Sequence, residues 1–433
     1  MRRALILLAL IASPLTARVV RFEITNRTDL ANGRYERVAG KVHFALDPAN
    51  PHNRAIVDLD RAPRNQAGEV EFSADVVIVR PKHGSEATFI DIVNRGGGSI
   101  LDPDRQSDFV LRHGFSVAAV GWQFDVRPDP QLLHLDAPVA AGVTGKVRAD
   151  FVVPETTSDH SLGHVIVGNI GGTGYAVSDV KDRTAVLTER DAQLAERRTI
   201  PRKSWRFTNP TTIHLDSGFV PGRIYEVIYT GKDPAVVGTG LAAVRDFVSY
   251  LKYGDAGFAR AQRVYGFGIS QSGRFLRHFV YQGFNADEEG RQVFDGTIPV
   301  VAGAGRGNFN HRFAQPSRDA QALSPLFYAV DIPPFTDDEI LAPAAADKVL
   351  PKIMYVNTSY EFWSRGESLT YTTPDAQREV PLPPNVRLYT IAGMSHIGGP
   401  FPPAKPSNLE LLGQNQMNPS SYWPVLHAVF LNM

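Results

Sequence analysis

Short apolar runs alternate with amphipathic stretches over most of the chain from residue 89 onward. Residues 115–121 and 264–269 are typical of buried strands, and the apolar residues of 241–251 recur at helical spacing. Alternation of strands and helices predicts a mostly parallel sheet with helices on both faces. The fold class is therefore α/β, with a large core that a chain of 433 residues can bury.

Three segments depart from this alternation. Residues 18–81 hold short β-like runs between Asn, Pro and Gly turns, which predicts a β-rich N-terminal extension packed on a main domain of residues 82–433. Residues 182–222 and 303–349 are charged, polar and proline-containing, and they interrupt the main domain. We expect cap-like insertions there, which either cover a site or only decorate the surface.

The run 264–276 passes from an apolar strand through small residues into an amphipathic helix. Its core is Gly268-x-Ser270-x-Ser272-Gly273, close to the G-x-S-x-G pattern of a nucleophile elbow, where a strained turn exposes a reactive hydroxyl. Ser272 stands where glycine is usual, which a slightly wider approach of the helix accommodates. We predict Ser270 as the nucleophile ahead of Ser272; an ordinary strand-to-helix turn is the alternative.

An acid and a histidine follow at the ends of later predicted strands. Glu361 comes shortly after the strand 351–357, and His396 comes after the strand 386–391. His396 is predicted to act as general base and Glu361 to orient its ring. A structural or surface role is the alternative for this histidine. Five other carboxylates in predicted loops rank below Glu361: Asp337, Asp338, Glu339, Glu367 and Asp375.

Acyl transfer also requires N–H donors for a developing oxyanion. The strand 87–93 is followed by Asn94-Arg95-Gly96-Gly97-Gly98, a loop whose glycines let the backbone approach a substrate. We predict donors from the N–H of Gln271 and from that of Gly96 or Gly97. A flexible loop or a phosphate-binding turn is the alternative, although neither a dinucleotide fingerprint nor a P-loop lysine is present.

Four polar side chains near these motifs are candidates for substrate binding: Arg95, Arg274, Arg306 and Asn308. Arginine forks bind carboxylates and phosphates, so an acidic ester is one conceivable substrate. The alternative is that these arginines pair with local acids or carbonyls. His311 with two neighbouring asparagines is a poor ligand set, so no metal site is predicted.

Several stretches together resemble the α/β-hydrolase superfamily: the elbow, the glycine loop, and an acid and a histidine in that order. Residues 55–65, 71–75, 270–275 and 359–363 further resemble a bacterial secreted α/β-hydrolase domain family of largely undefined substrate. The resemblance runs from about residue 22 to the C-terminus. It implies Ser270, Glu361 and His396 as a catalytic triad, and it implies that Ser272 is ordinary in this group.

Charge and composition limit the kinds of binding partner and catalytic chemistry that the chain can have. The formal net charge is zero, which favours neither nucleic acid nor an anionic membrane surface, and the absence of cysteine excludes thiol nucleophiles and thiolate metal sites. Arg2 and Arg3 precede an apolar run at 4–12, so residues 1–17 are predicted to be a signal peptide; an uncleaved anchor is the alternative. The mature protein would be periplasmic or secreted, without stable membrane association.

The sequence thus predicts a secreted serine hydrolase that acts on a carboxylic ester of a small molecule or a polymer through an acyl-enzyme intermediate, without a cofactor. Two alternatives stay open. The same triad could hydrolyse an amide or peptide, or the fold could carry a non-catalytic binding protein.

Overall fold

The structure is a computed structural model that describes residues 18–31, 33–85, 87–101, 108–166, 170–172, 174–192, 194–255, 260–318, 333–404 and 415–433. The predicted signal peptide of residues 1–17 lies outside the described residues, as do residues 319–332 of the predicted insertion 303–349. Among the helices in these ranges, none is long and apolar enough to cross a membrane.

The strands of the described ranges are β1 (Val19–Leu30), β2 (Tyr35–Leu46), β3 (Val70–Pro81), β4 (Ala87–Asp91), β5 (Ser116–Val120), β6 (Leu135–Asp136), β7 (Thr144–Phe151), β8 (Thr157–Ser161), β9 (His164–Ile166), β10 (Ile170–Gly172), β11 (Val186–Arg190), β12 (Arg198–Ile200), β13 (Trp205–Asn209), β14 (Thr212–Phe219), β15 (Ile224–Lys232), β16 (Arg263–Ile269), β17 (Gly296–Val300), β18 (Lys352–Thr358) and β19 (Val386–Ile391). The helices are α1 (Asp108–Arg112), α2 (Thr239–Tyr253), α3 (Gln271–Tyr281), α4 (Asp337–Ile340), α5 (Ala342–Ala346), α6 (Ser359–Ser364) and α7 (Trp423–Asn432).

A ten-stranded sheet forms the centre of the molecule. Its order is β1-β2-β3-β5-β4-β16-β17-β18-β19, with β6 paired to β3. The six strands from β5 to β19 run parallel, whereas β1, β2 and β3 are antiparallel to their neighbours. The mostly parallel sheet that the sequence predicts is confirmed.

Helices cover both faces of this sheet. Because successive residues of a strand point to opposite faces, Phe89 packs with α7 while its neighbour Ile90 packs with α2. The α2 face holds the larger core, and Val244 and Phe247 of α2 are fully buried in it. On the opposite face, the Phe430 ring of α7 lies 4.9 Å from the Phe89 ring. Burial on two sides explains why these strands are continuous apolar runs.

The N-terminal extension joins the sheet by its edge. The prediction has residues 18–81 packed on the main domain, but β1, β2 and β3 hydrogen-bond into the central sheet through the β3–β5 pairing. Alternating apolar and polar positions indicate a strand without specifying whether it stacks on a sheet or extends it. The extension is therefore part of the main core.

A second β unit lies between β6 and α2 in the chain. It contains a four-stranded sheet, β12-β11-β15-β7, and a three-stranded sheet, β13-β14-β8. An aromatic core lies within this unit, and it includes Phe151, Phe219 and Tyr225 with ring centroids 4.9–5.7 Å apart. The unit extends beyond the predicted insertion of 182–222 on both sides. Strand β15 belongs to this unit, because it pairs with β7 and β11 and not with a strand of the central sheet.

Asp91 fastens the glycine loop to the end of β4. Its buried Oδ2 accepts hydrogen bonds from the N–H groups of Ser99 and Ile100, at 2.6 and 2.8 Å. Burial raises the pKa of this carboxyl from 3.8 to about 6, and the backbone donors oppose the rise only in part. A Cβ at Gly98 would lie 2.9 Å from Oδ2, so a larger residue there would crowd the carboxylate.

Substitution Asp91→Asn should change the pH dependence of stability. A carboxyl with a raised pKa binds its proton more tightly in the folded state, so it favours folding at low pH and loses that contribution as pH rises through about 6. Between about pH 4 and about pH 7, the unfolding free energy of the wild type should fall by about 2 kcal/mol relative to that of Asp91→Asn. Urea denaturation across this range measures the difference. Parallel pH profiles for the two proteins would contradict it.

Candidate active site

The turn between β16 and α3 has the backbone of a nucleophile elbow. Ser270 stands at this turn with φ 63° and ψ −116°, a conformation that costs free energy for a residue with a side chain. A Cβ at Gly268 would lie 2.5 Å from the Ser272 carbonyl oxygen, and one at Gly273 would lie 2.8 Å from the Val300 carbonyl oxygen. The two glycines therefore permit the close crossing of strand and helix that holds Ser270.

The structure separates the two serines of the motif. Ser270 is partly exposed, and its Oγ lies 2.9 Å from Nε2 of His396. Ser272 is fully buried, and within the described residues its Oγ has no hydrogen-bond partner. Only Ser270 combines access with a basic neighbour.

His396 and Glu361 complete a continuous line of hydrogen bonds. Nδ1 of His396 lies 2.5 Å from Oε1 of Glu361, and the Tyr360 ring packs beside the imidazole at 5.2 Å between centroids. Glu361 is fully buried in the first turn of α6, directly after β18. The structure thus brings together Ser270, His396 and Glu361, the three residues predicted for the triad.

Thr358 holds the second oxygen of this carboxylate. Oε2 of Glu361 accepts hydrogen bonds from the backbone N–H of Thr358 at 3.1 Å and from its Oγ1 at 2.5 Å. The Thr358 Oγ1 in turn accepts from the N–H of Tyr360, which makes a capping box at the start of α6. The pattern Thr-x-x-Glu in the sequence is the signal for this box, and it was not used in the prediction above.

Two carboxylates that the sequence placed in loops are in fact buried. Glu367 lies buried in a 3₁₀ turn and accepts a hydrogen bond from Oγ1 of Thr390. Among the described hydrogen bonds, none joins Glu367 to His396. Burial raises its pKa, Thr390 opposes that rise, and the nearby Glu361 charge adds to it. Asp337 begins α4 and accepts from the Tyr355 hydroxyl at 2.6 Å. Tertiary packing covers both turns, so neither carboxylate is exposed to solvent as is usual for a charge in a loop.

The predicted oxyanion donors lie on two adjoining segments. Gln271 is the first residue of α3, and the first N–H groups of a helix have no acceptor within it. The glycine loop is a tight turn in which Arg95 and Gly96 have φ of 51° and 82°. Asn94 anchors the turn near the elbow, with its Nδ2 3.5 Å from the Ile269 carbonyl oxygen.

The same turn corrects the prediction for Gly97. The N–H of Gly97 donates to the Asn94 carbonyl oxygen at 3.1 Å, and the Asn94 N–H donates back to the Gly97 carbonyl at 2.7 Å. Positive φ at both central residues is typical of the two-residue turns that close such a pair. The Gly97 N–H is therefore engaged, and Gly96 stays as the predicted second donor.

The four candidate substrate-binding residues divide between two places. Arg95 lies beside the elbow, where its Nε donates to the Ser317 carbonyl and its Nη1 to Oδ1 of Asn94. Burial lowers the pKa of this guanidinium to about 10, Asp125 opposes the change, and Arg365 reinforces it. Arg274 is buried one helical turn after Ser270, whose carbonyl accepts its N–H at 3.0 Å.

Arg306 lies away from the elbow. Its guanidinium donates to the Pro333 carbonyl and lies 4.2 Å from the centre of the Tyr281 ring. Tyr281 is the last residue of α3, so this contact is about 15 Å along the helix from Ser270. These contacts are the local pairing that was the alternative for Arg306, and a role of this residue in substrate binding stays a prediction. Asn308 is buried on the same loop, and its role in binding stays a prediction.

Comparisons with solved structures find remote similarities. A promiscuous CE15 esterase from a marine bacterial metagenome is 12% identical, with 87% of this chain and 83% of that chain covered and a TM-score of 0.34. A CE15 glucuronoyl esterase from Teredinibacter turnerae is 10% identical over 88% and 76%, with a TM-score of 0.35. Acetyl xylan esterase 1 from a Thermoanaerobacterium species is 9% identical over 86% and 80%, with a TM-score of 0.34. Curated proteins give no match.

The family comparison covers the part of the chain that carries the elbow. The model of the family described as "Alpha/beta hydrolase domain" matches residues 203–430, just over half of the chain. Ser270, Glu361 and His396 all fall within this range, whereas the glycine loop precedes it. The chain therefore belongs to the alpha/beta hydrolase domain family.

Proposed function

We propose that this protein is a serine hydrolase that cleaves carboxylic esters through an acyl-enzyme intermediate. The observation that carries the proposal is the line of hydrogen bonds from Ser270 Oγ to His396 Nε2 at 2.9 Å and from His396 Nδ1 to Glu361 Oε1 at 2.5 Å. Such a line supplies a nucleophile, a base that accepts its proton, and an acid that fixes the base.

In the first half-reaction, Ser270 Oγ attacks the ester carbonyl carbon while His396 Nε2 takes the hydroxyl proton. The carbonyl oxygen becomes an oxyanion, for which the N–H groups of Gln271 and Gly96 are the proposed donors. The intermediate then collapses, the bond to the alcohol oxygen breaks, and His396 returns the proton to the departing alcohol. Water repeats these steps on the acyl-enzyme and releases the carboxylic acid and free Ser270.

Glu361 is placed to keep one tautomer of His396. The carboxylate accepts the proton of Nδ1, which leaves Nε2 unprotonated and ready to act as a base. Its negative charge also stabilises the imidazolium that forms during the reaction. Because Thr358 occupies the other carboxylate oxygen, Glu361 has little freedom to turn away from the ring.

Ester cleavage is the preferred reaction because an alcohol leaves a tetrahedral intermediate more readily than an amine does. The same groups can attack an amide, but a strongly basic amine must be protonated before it leaves. Nothing in the described site provides a further acid beside His396 for that purpose. Matched p-nitrophenyl acetate and p-nitroacetanilide therefore serve as the first substrate pair.

Ser270→Ala should abolish turnover and Ser272→Ala should not. Loss of the nucleophile should lower kcat for p-nitrophenyl acetate by roughly 10⁴-fold or more. Ser272→Ala removes a buried hydroxyl without a described partner, so its kcat should stay within about threefold of wild type. Full activity of Ser270→Ala would contradict the mechanism. Loss of activity only in Ser272→Ala would identify Ser272 as the nucleophile.

Two buried carboxyls provide a matched test of the acid. Glu361→Gln keeps the shape of the side chain but turns a donor or a neutral acceptor toward Nδ1, so kcat should fall by roughly 10²–10⁴-fold. Glu367→Gln changes an equally buried carboxyl that bonds Thr390 instead, and its kcat should remain within a few-fold. Steady-state kinetics with thermal unfolding of both variants gives the answer. Equal losses in the two variants would argue against a special role for Glu361.

We also propose that the protein is exported. Arg2 and Arg3 followed by the apolar run 4–12 and small residues near Ala17 are typical of a secretory leader. The full-length gene expressed in a Gram-negative host should give a periplasmic protein whose first residue lies near position 18. Mass spectrometry of its N-terminal peptide measures this, and a product that retains residues 1–17 in the cytoplasm would contradict export.

A further inference from the structure

Gln123 is a fully buried amide in the loop that follows β5, and it joins three separate segments. Its Oε1 accepts the backbone N–H of Arg95 at 2.7 Å. Its Nε2 donates to Oε1 of Gln271 at 2.9 Å and to the Pro316 carbonyl oxygen at 3.0 Å. Gln123 therefore contacts the glycine loop, the residue after Ser270, and the segment 313–318.

Gln123, Gln271 and the Pro316 carbonyl form a closed ring of hydrogen bonds. Gln271, also fully buried, donates from Nε2 to the same Pro316 carbonyl oxygen at 2.6 Å. A peptide N–H can only donate and a carbonyl can only accept, so the bonds to Arg95 and Pro316 fix which end of each amide is oxygen. Both glutamines then have one allowed orientation, and both side chains are fully buried from bulk solvent.

Neighbouring residues of the same loop make parallel connections. Nε1 of Trp122 donates to the Val93 carbonyl at 2.6 Å, just before the glycine loop. The buried Asp125 accepts the N–H of Ser317 at 3.1 Å to each of its oxygens. Residues 122–125 thus bind the segment that follows β4 on one side and the segment 313–318 on the other. We call residues 122–125 the β5 brace.

We infer that Gln123 is a positioning residue for the oxyanion donors: it fixes Gln271 and the Asn94–Gly97 turn relative to each other. This inference rests on the proposed function. The backbone of Gln271 carries the donor next to Ser270, and the turn carries Gly96, so one side chain sets the distance between the two donors. Donors help an oxyanion only when they are held in place before the charge develops.

This role predicts a specific kinetic effect. Misplaced donors weaken binding of the transition state while leaving binding of the neutral ester nearly unchanged, so kcat falls and KM does not. A buried amide that only stabilises the core would lower the unfolding temperature without this effect on kcat. The two roles are therefore separable by measuring stability and kinetics on the same variants.

Asn285 provides the matched control. It is another fully buried amide, and it accepts the Phe294 N–H at 2.8 Å and donates to the Phe294 and Val349 carbonyls. None of these partners belongs to the elbow, the glycine loop or the β5 brace. Its substitution should therefore cost stability to a similar degree as substitution of Gln123 without moving the oxyanion donors.

The experiment compares Gln123→Leu, Gln123→Glu and Asn285→Leu in the full chain, with p-nitrophenyl acetate as substrate. Gln123→Leu should lower kcat by roughly 10- to 100-fold with KM within about threefold. Gln123→Glu can still accept the Arg95 N–H, but a carboxyl has at most one O–H where the amide has two N–H donors, so it cannot bond both Gln271 and Pro316 and its kcat should also fall. Asn285→Leu should keep kcat within about threefold of wild type at a temperature where it is folded.

A double-substitution cycle with Gln271→Leu adds a second readout. If Gln123 acts through Gln271, the loss in kcat for the pair should be clearly smaller than the product of the two single losses. Independent, multiplicative losses would overturn the inference, as would wild-type kcat in both Gln123 variants or a loss that falls equally on Asn285→Leu. If Gln123→Leu does not fold, Gln123→Glu gives the same comparison.

The outcome also distinguishes this inference from the proposed function. If the wild type turns over ester and Ser270→Ala does not, the proposed function holds, and the Gln123 variants test positioning alone. If the wild type and Ser270→Ala are equally inactive, both the proposed function and the inference that rests on it fail.

Discussion

The parallel register of the central sheet is the constraint on which the site depends. Ile269 at the end of β16 pairs with Val300 of β17, Val300 pairs with Val356 of β18, and Thr358 at the end of β18 pairs with Ile391 of β19. The carboxyl ends of these strands therefore meet at one edge. Each of the three residues of the Ser270–His396–Glu361 line follows one of these strand ends.

The same strand order separates the end of β16, where Ser270 lies, from the end of β19, which precedes His396. Because β19 is the third strand from β16, their ends are about 14 Å apart at the usual strand spacing. His396 lies five residues beyond β19, on a loop that returns across the sheet edge to reach Ser270. Glu361 follows β18, the strand next to β19, and its carboxylate contacts this loop at His396. The capping box fixes the position of the carboxylate. The fixed carboxylate of Glu361 thus holds the His396 ring near Ser270, although the loop that carries His396 is long.

Much of the fold and of the site could be predicted from local patterns. Apolar runs gave β4, β5, β16 and β18 nearly to the residue, because strands covered on both faces leave a continuous signal. The place of Ser270 at the turn between β16 and α3 could be predicted because an elbow requires small residues at fixed offsets, and these offsets are visible in the sequence.

The features that the sequence did not provide depend on tertiary contacts. Strand β15 has the same alternation as a strand of the main sheet, and only its pairing with β7 and β11 assigns it to the second β unit. The glycine pattern could not tell that the Gly97 N–H is used within its own turn. Gln123 carries no local signal at all, since its three partners are distant in sequence.

The second β unit reaches the site through the segment 313–318. The Tyr175 hydroxyl donates to the Ala314 carbonyl at 2.6 Å, and Arg318 pairs with Asp150 of β7 in a buried ion pair. Pro316 and Ser317 of the same segment bind Gln123, Gln271 and Asp125. The unit thus supports the segment to which Arg95, Gln123 and Gln271 bind, and these buried hydrogen bonds restrain it.

The most direct test of the account is to identify the residue that becomes covalently modified. The purified protein is treated with a fluorophosphonate, which reacts with activated serines, and the labelled peptide is mapped by mass spectrometry. The account predicts a single adduct on Ser270, and it predicts that His396→Ala slows the labelling strongly because the serine then lacks its base. An adduct on Ser272 or elsewhere, or no adduct on a folded protein, would contradict it.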